Sequence, residues 1–163
     1  MIAHTLVILF ATLVLSTAAP AQIVPSPAER VAYAGLHRAA AAGDVATIER
    51  EIRAGSAIEL RDGHGRTPLH AAVFLQKPDA VRALIRLGAD ANANALEAQH
   101  YDPVTIAAVA NDVPMLALLL TNGAKATNIT SPYHGTALIA ATHLGHAEVV
   151  RRSITSTISA GPR

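Results

Sequence analysis

The chain has 163 residues, 51% of them hydrophobic but only 3% aromatic, which suits one domain packed from small and aliphatic side chains rather than rings. Thirteen basic residues against twelve acidic leave a formal net charge of +1, so neither a basic stripe nor a base-stacking platform for nucleic acid is available. Cysteine is absent, which excludes disulfides, thiol catalysis and Cys-ligated zinc.

Leu6 to Leu15 form an unbroken apolar run, LVILFATLVL, followed by the small-residue step Ala19-Pro20-Ala21. This pattern predicts a secretory signal peptide over residues 1–21 with Gln22 as the new terminus, although no Lys or Arg precedes the run. The alternative is an uncleaved membrane anchor reaching Val24, interrupted by Pro20 and Gln22. Either way, the remainder of the chain is expected outside the cytoplasm, periplasmic or secreted. Residues 22–32 carry Pro25 and Pro27 and read as a linker, with helix expected only after it.

From there the chain repeats. Leu36-His37 and Leu69-His70 stand 33 residues apart, and each precedes a glycine, Gly55 or Gly88, by the same interval. Val104-Thr105 stands in the same relation to Gly123, 35 residues after Leu69, and Leu138-Ile139 opens a fourth unit 34 residues later. Such periods mark a stacked array, in which each unit buries its second apolar face only against a neighbour. The units fall at about residues 33–61, 62–96, 97–130 and 131–154.

Within the second unit, Thr67 suits a helix cap and Pro68 the first helical turn. Leu69, Ala72 and Val73, then Val81, Leu84 and Ile85, follow helical spacing. Between the two helices Gly43 and Gly145 occupy the turn, whereas Gln76 and Asn111 take the same place in the other units. Asn tolerates left-handed backbone there and Gln does so less well. Gly55, Gly88 and Gly123 are placed as C-terminal caps. Arg50 and Glu51 replace the Ala and Leu of interior units, as a water-facing end unit requires. The last unit ends in Arg151, Arg152 and Ser153, and residues 155–163 are expected to form a disordered tail.

Thr67-Pro68-Leu69-His70, the phrase Gly145-His146-Ala147-Glu148-Val149-Val150, and Asp102-Pro103-Val104-Thr105 in the third unit together resemble the ankyrin repeat. The resemblance covers residues 33–154 and is that of an exported, bacterial member. It implies an all-α solenoid of about four helix-turn-helix repeats joined by short hairpin-like loops. It also implies a binding scaffold with no cofactor and no catalysis. Its partner would be another protein, with no nucleic acid and no membrane after signal cleavage, and the chain itself a monomer. An inhibitor or immunity-type protein that blocks one exported enzyme or toxin is the alternative function.

Candidate chemistry is sparse. The resemblance assigns His37 and His70 a structural role, bonding backbone groups of adjacent loops. His143 and His146 are three apart, but no carboxylate pair completes a metal site. Asp62, His64 and His70 lack a nucleophile on a strained turn. Carried over position by position, the partner-binding candidates at the loop tips are Arg61, Asp62, His64 and Arg66, then Gln99, His100 and Tyr101, then Tyr133 and His134. On the first helices they are Phe74 and Leu75, with His143 and Leu144. Ala41, Ala42, Val109 and Ala110 fill the same groove positions. Phe74, Leu75 and Tyr101 are the large apolar groups where hot spots are expected.

Overall fold

The computed structural model describes residues 24–95, 101–130 and 136–159, and among these residues the chain forms helices and turns with no strand. The helices are α1 (Pro27–Ala32), α2 (Gly35–Ala42), α3 (Val45–Arg53), α4 (Pro68–Phe74), α5 (Pro78–Arg86), α6 (Pro103–Val109), α7 (Val113–Thr121), α8 (Ala137–His143) and α9 (Ala147–Ser159). The first helices of the units, α2, α4, α6 and α8, pack one on the next. The second helices, α3, α5, α7 and α9, do the same behind them. The result is a two-layered solenoid of four helix pairs.

One start signal serves three units. Thr67, Asp102 and Thr136 hold extended backbone, and the side chain of each accepts the N–H of the residue three positions on, His70, Thr105 or Ile139. The Asp-Pro of the third unit therefore replaces the Thr-Pro of the second, since either side chain offers an acceptor to an N–H without an intrahelical partner. Pro68 and Pro103 follow in the first turn, where the missing N–H costs nothing.

The turns repeat as closely. Gly43, Gln76, Asn111 and Gly145 all have positive φ, at 80°, 52°, 53° and 72°. The reversal closes with two backbone bonds: in the second unit the N–H of Gln76 donates to Val73 and that of Lys77 to Ala72. The same pair recurs at Ala40 and Ala39, at Ala108 and Ala107, and at Thr142 and Ala141. A left-handed residue is thus obligatory at this point, and two units meet the requirement with a side chain in place.

The core is a continuous aliphatic seam between the layers. Leu36, Leu69 and Val104 from the first helices meet Ile48, Val81, Leu84, Leu116 and Leu119 from the second, all fully buried. Ala40, Ala72 and Ala107 let the first helices approach closely, which explains how a chain with so few rings packs at all. Arg50 is exposed on α3, whose sole buried residue is Ile48, as expected of an end unit facing water.

Two expectations are corrected. The stretch 22–32 is not linker throughout: α1 spans Pro27–Ala32. Ser26 accepts the N–H of Glu29, the Glu29 carboxylate accepts the N–H of Ser26, and Pro27 sits in the first turn. Proline here starts a helix instead of preventing one. The tail also differs, because α9 continues through Thr155 to Ser159, with Thr155 and Thr157 hydroxyls donating to carbonyls one turn back. The signal segment 1–21 and residues 160–163 lie outside the described residues.

Left-handed backbone costs a residue with a Cβ about 1–2 kcal/mol. Gln76→Gly is therefore expected to raise unfolding stability by about 1 kcal/mol in urea titration. A loss of stability would contradict the strained-turn account.

Candidate functional site: the groove of the first helices

The histidines at the start of the first helices are clamps. His70 is completely buried. Its Nδ1 accepts from the Thr67 hydroxyl at 2.8 Å and from the Thr67 N–H at 3.2 Å. Nε2 must then carry the proton, and it donates to the carbonyl of Tyr101 in the next loop at 3.1 Å. Burial lowers the His70 pKa from 6.5 to about 4, so the ring is neutral at pH 7. His37 makes the second of these bonds one unit earlier, donating from Nε2 to the carbonyl of Arg66 at 2.9 Å, while the cap of its helix is Ala34 and offers no side-chain partner. In the third unit Thr105 stands in the His place, and its hydroxyl bonds that of Thr130 at 2.8 Å. Ile139, in the fourth, is exposed.

The first loop is locked by charge. Arg66 is 1% exposed and extends between α1 and the loop. Its Nε donates to Asp62 at 2.7 Å, and its terminal nitrogen pairs with Glu29. Asp62 also accepts the N–H groups of His64 and Arg66 at 2.9 Å each, and the Tyr33 hydroxyl at 3.0 Å. Ser26, donating to Glu29, and the Arg66 charge lower the Glu29 pKa to about 2. Burial pushes the Asp62 carboxyl up, but the Arg66 and His64 hydrogen bonds outweigh it and leave it below the usual range.

This corrects two of the expected contact residues. Asp62 and Arg66 are committed to an internal ion cluster, and Arg66 has no surface to offer a partner. In sequence, Asp62-Gly63 is a tight-turn signal at a loop tip. In the fold, that turn aims a buried arginine at α1. His64 pairs with Glu29 at 3.0 Å and keeps part of its ring in solvent. Arg61 is exposed and donates to the carbonyls of Gly65 and Asn94, so it braces two loops. The Tyr101 ring packs partly against the core, and its carbonyl receives His70. Gln99, His100, Tyr133 and His134 lie outside the described residues.

Phe74 is half-buried against the core, closer to a packing residue than to an open anchor. Leu75 lies in an open recess of about 330 Å³ with Ala41 and Ala42, so the structure does gather three of the expected groove positions. Arg30, Arg38 and Lys77 complete its wall. Sequence reasoning missed these three cations. Lys77 left a trace, because Asp stands in its place at positions 44 and 112 and His at 146. His143 and Leu144 are exposed at the other end of the groove, with Leu144 52% accessible. His146 is turned away from His143, donating from Nδ1 to the Ala108 carbonyl at 2.9 Å. No group of metal-ligating side chains occurs among the described residues.

A family model described as ankyrin repeats, in three copies, matches residues 36–130. Protein phosphatase 1 regulatory subunit 27 of Homo sapiens and of Mus musculus is 42% identical over 60 residues, which is 37% of this chain and 39% of each relative. Ankyrin repeat domain-containing protein 13C of Xenopus tropicalis is 33% identical over 98 residues, 60% of this chain and 19% of that protein. The chain thus spans well under half the length of these animal proteins.

The His70 clamp sets a pH dependence. Its pKa is lower folded than unfolded, so the unfolded chain takes up the proton first. Its contribution is complete above pH 6.5 and is lost progressively as pH falls toward about 4. Urea midpoints measured across this window should fall, and His70→Gln should flatten that fall. An unchanged slope in the variant would show that His70 is not the group responsible. The Glu29 contribution is lost lower, between pH 4.5 and about 2, so the two are separable.

Proposed function

The chain belongs to the ankyrin-repeat family, and on that footing we propose that it is a monomeric protein-interaction module that acts outside the cytoplasm and holds its partner in the groove of the first helices. The observation that carries this is the division of labour among side chains. His37, His70, Asp62 and Arg66, the residues with most chemical potential, are bonded internally. Leu75, Ala41 and Ala42 line an open recess on the predicted binding face. A surface of this kind binds; it has no nucleophile or acid–base pair with which to react. The regulatory-subunit name carried by two of its relatives fits a binding role.

Export rests on the apolar run Leu6–Leu15 and the Ala19-Pro20-Ala21 step. No helix among the described residues is long and apolar enough to cross a membrane.

Affinity capture with the full chain, tagged at its C-terminus, tests both parts. One stoichiometric partner is expected with the wild type and its recovery should drop at least ~10-fold with Leu75→Asp, because a carboxylate would replace the apolar contact on the floor of the groove. The captured chain should begin at Gln22. Absence of any partner would overturn the interaction reading. A chain beginning at Met1 in the cytoplasmic fraction would overturn export.

A further inference from the structure

The turn at Gln76-Lys77 breaks two local rules at once. Gln76 holds the left-handed position that Gly43 and Gly145 fill without strain. Lys77 then occupies the N-cap of α5, with the same backbone shape as Asp44 before α3 and Asp112 before α7: φ −107° and ψ 76° against −81° and 87°, and −85° and 82°. Asp44 and Asp112 each accept an N–H from the helix they open, at 3.0 Å. Lys77 has no acceptor to offer, and α5 starts without a side-chain cap. Its charge also sits at the positive end of the helix dipole. Helix physics favours aspartate here. A residue that breaks local rules without a structural gain marks a site where something else sets the choice.

The surroundings of Lys77 show what that is. Among the described residues, every Arg and Lys side chain makes an ion pair or a hydrogen bond except Arg30, Arg38, Lys77 and Lys125. Three of those four line a single recess, on a chain whose formal net charge is only +1. Among the described residues no carboxylate lies within ion-pair distance of Arg30, Arg38 or Lys77, and the nearby Asp79 is paired with Arg82. Between the cations the floor is Ala41, Ala42 and Leu75, and the Lys77 stem passes over Gly43.

We propose that this recess holds an acidic segment of the partner protein, whose carboxylates pair with Arg30, Arg38 and Lys77 while an aliphatic side chain rests on Leu75. The assignment deepens the interaction reading and rests on it. A nucleic-acid strand is the weaker fit, because the recess offers an aliphatic floor with no ring for a base to stack on and three cations in place of a stripe. The larger recess near the C-terminal end, about 480 Å³ and lined by Ala147, Val150 and Ile154, carries no comparable charge signature.

The test is fluorescence anisotropy of the full chain with a labelled peptide, GDELDEG, its amide counterpart GNQLNQG, and a labelled ten-residue oligothymidylate. The acidic peptide should bind at least ~10-fold tighter than the amide peptide, and the margin should shrink as salt rises from about 50 to about 200 mM. Lys77→Asp is the decisive variant. It restores the missing cap, so its melting temperature should hold or rise, yet acidic-peptide affinity should fall at least ~10-fold. Arg38→Gln should weaken binding in the same direction. Equal affinity for the two peptides, an unaffected Lys77→Asp, or tighter binding of the oligothymidylate would each overturn the proposal. The interaction reading is judged separately, by whether wild-type chain captures a stoichiometric partner. If wild type and Lys77→Asp capture it equally, the acidic segment is wrong and the module stands.

Discussion

The first two repeat junctions of this molecule depend on the imidazole that joins one repeat to the next. A helix pair has two apolar faces and can bury neither by itself, so stacking supplies the stability. Stacking alone does not fix where the intervening loop runs. The buried ring of His70 does, because it accepts from Thr67 on one nitrogen and donates to Tyr101 on the other. The pair of bonds links the cap of one first helix to the backbone of the following loop. His37 makes the loop half of this link, to the Arg66 carbonyl. Where a hydroxyl replaces the ring, at Thr105, the bond runs to another side chain and not to backbone.

The clamp explains why the binding face has the composition it does. With the polar groups of the loops bonded inward, the first helices present small and aliphatic residues, and alanine keeps the repeats close enough for one recess to span α1, α2 and the α4–α5 turn. Arg66 extends the same logic to the N-terminal end, where it bridges Asp62 and Glu29 and fixes α1 against the second unit. A buried arginine bracketed by two carboxylates is costly to break, because removal of either side strands a desolvated charge. The charges left over after this internal pairing are the ones that define the groove.

Much of the array is legible in the sequence because it is governed by local rules that repeat. The period locates the helix pairs. Gly43, Gln76, Asn111 and Gly145 are recognisable as one left-handed position despite three residue types, and Asp102 is recognisable as a stand-in for Thr67. The N-terminal helix is missed for an instructive reason. Pro25 and Pro27 read as breakers, yet Ser26-Pro27-Ala28-Glu29 is a capping box with proline in the permitted first turn. The binding residues are only half legible. The groove positions follow from the repeat, but Arg66 is indistinguishable from a surface cation until Glu29, far away in sequence, is placed beside it. Arg30, Arg38 and Lys77 likewise converge only when the units stack. Lys77 alone is detectable beforehand, because two of its three repeat mates, Asp44 and Asp112, are aspartates and the third is His146.

Whether a neutral buried imidazole joins the repeats and leaves the groove free to bind is tested most directly by reading the protonation of that ring. Long-range nitrogen–proton correlation spectra of the folded chain at about pH 6, below the ordinary histidine pKa, should show the His70 ring neutral, with its proton on Nε2 and Nδ1 bare. An imidazolium at that pH, or the opposite tautomer, would contradict the clamp and the architecture built on it.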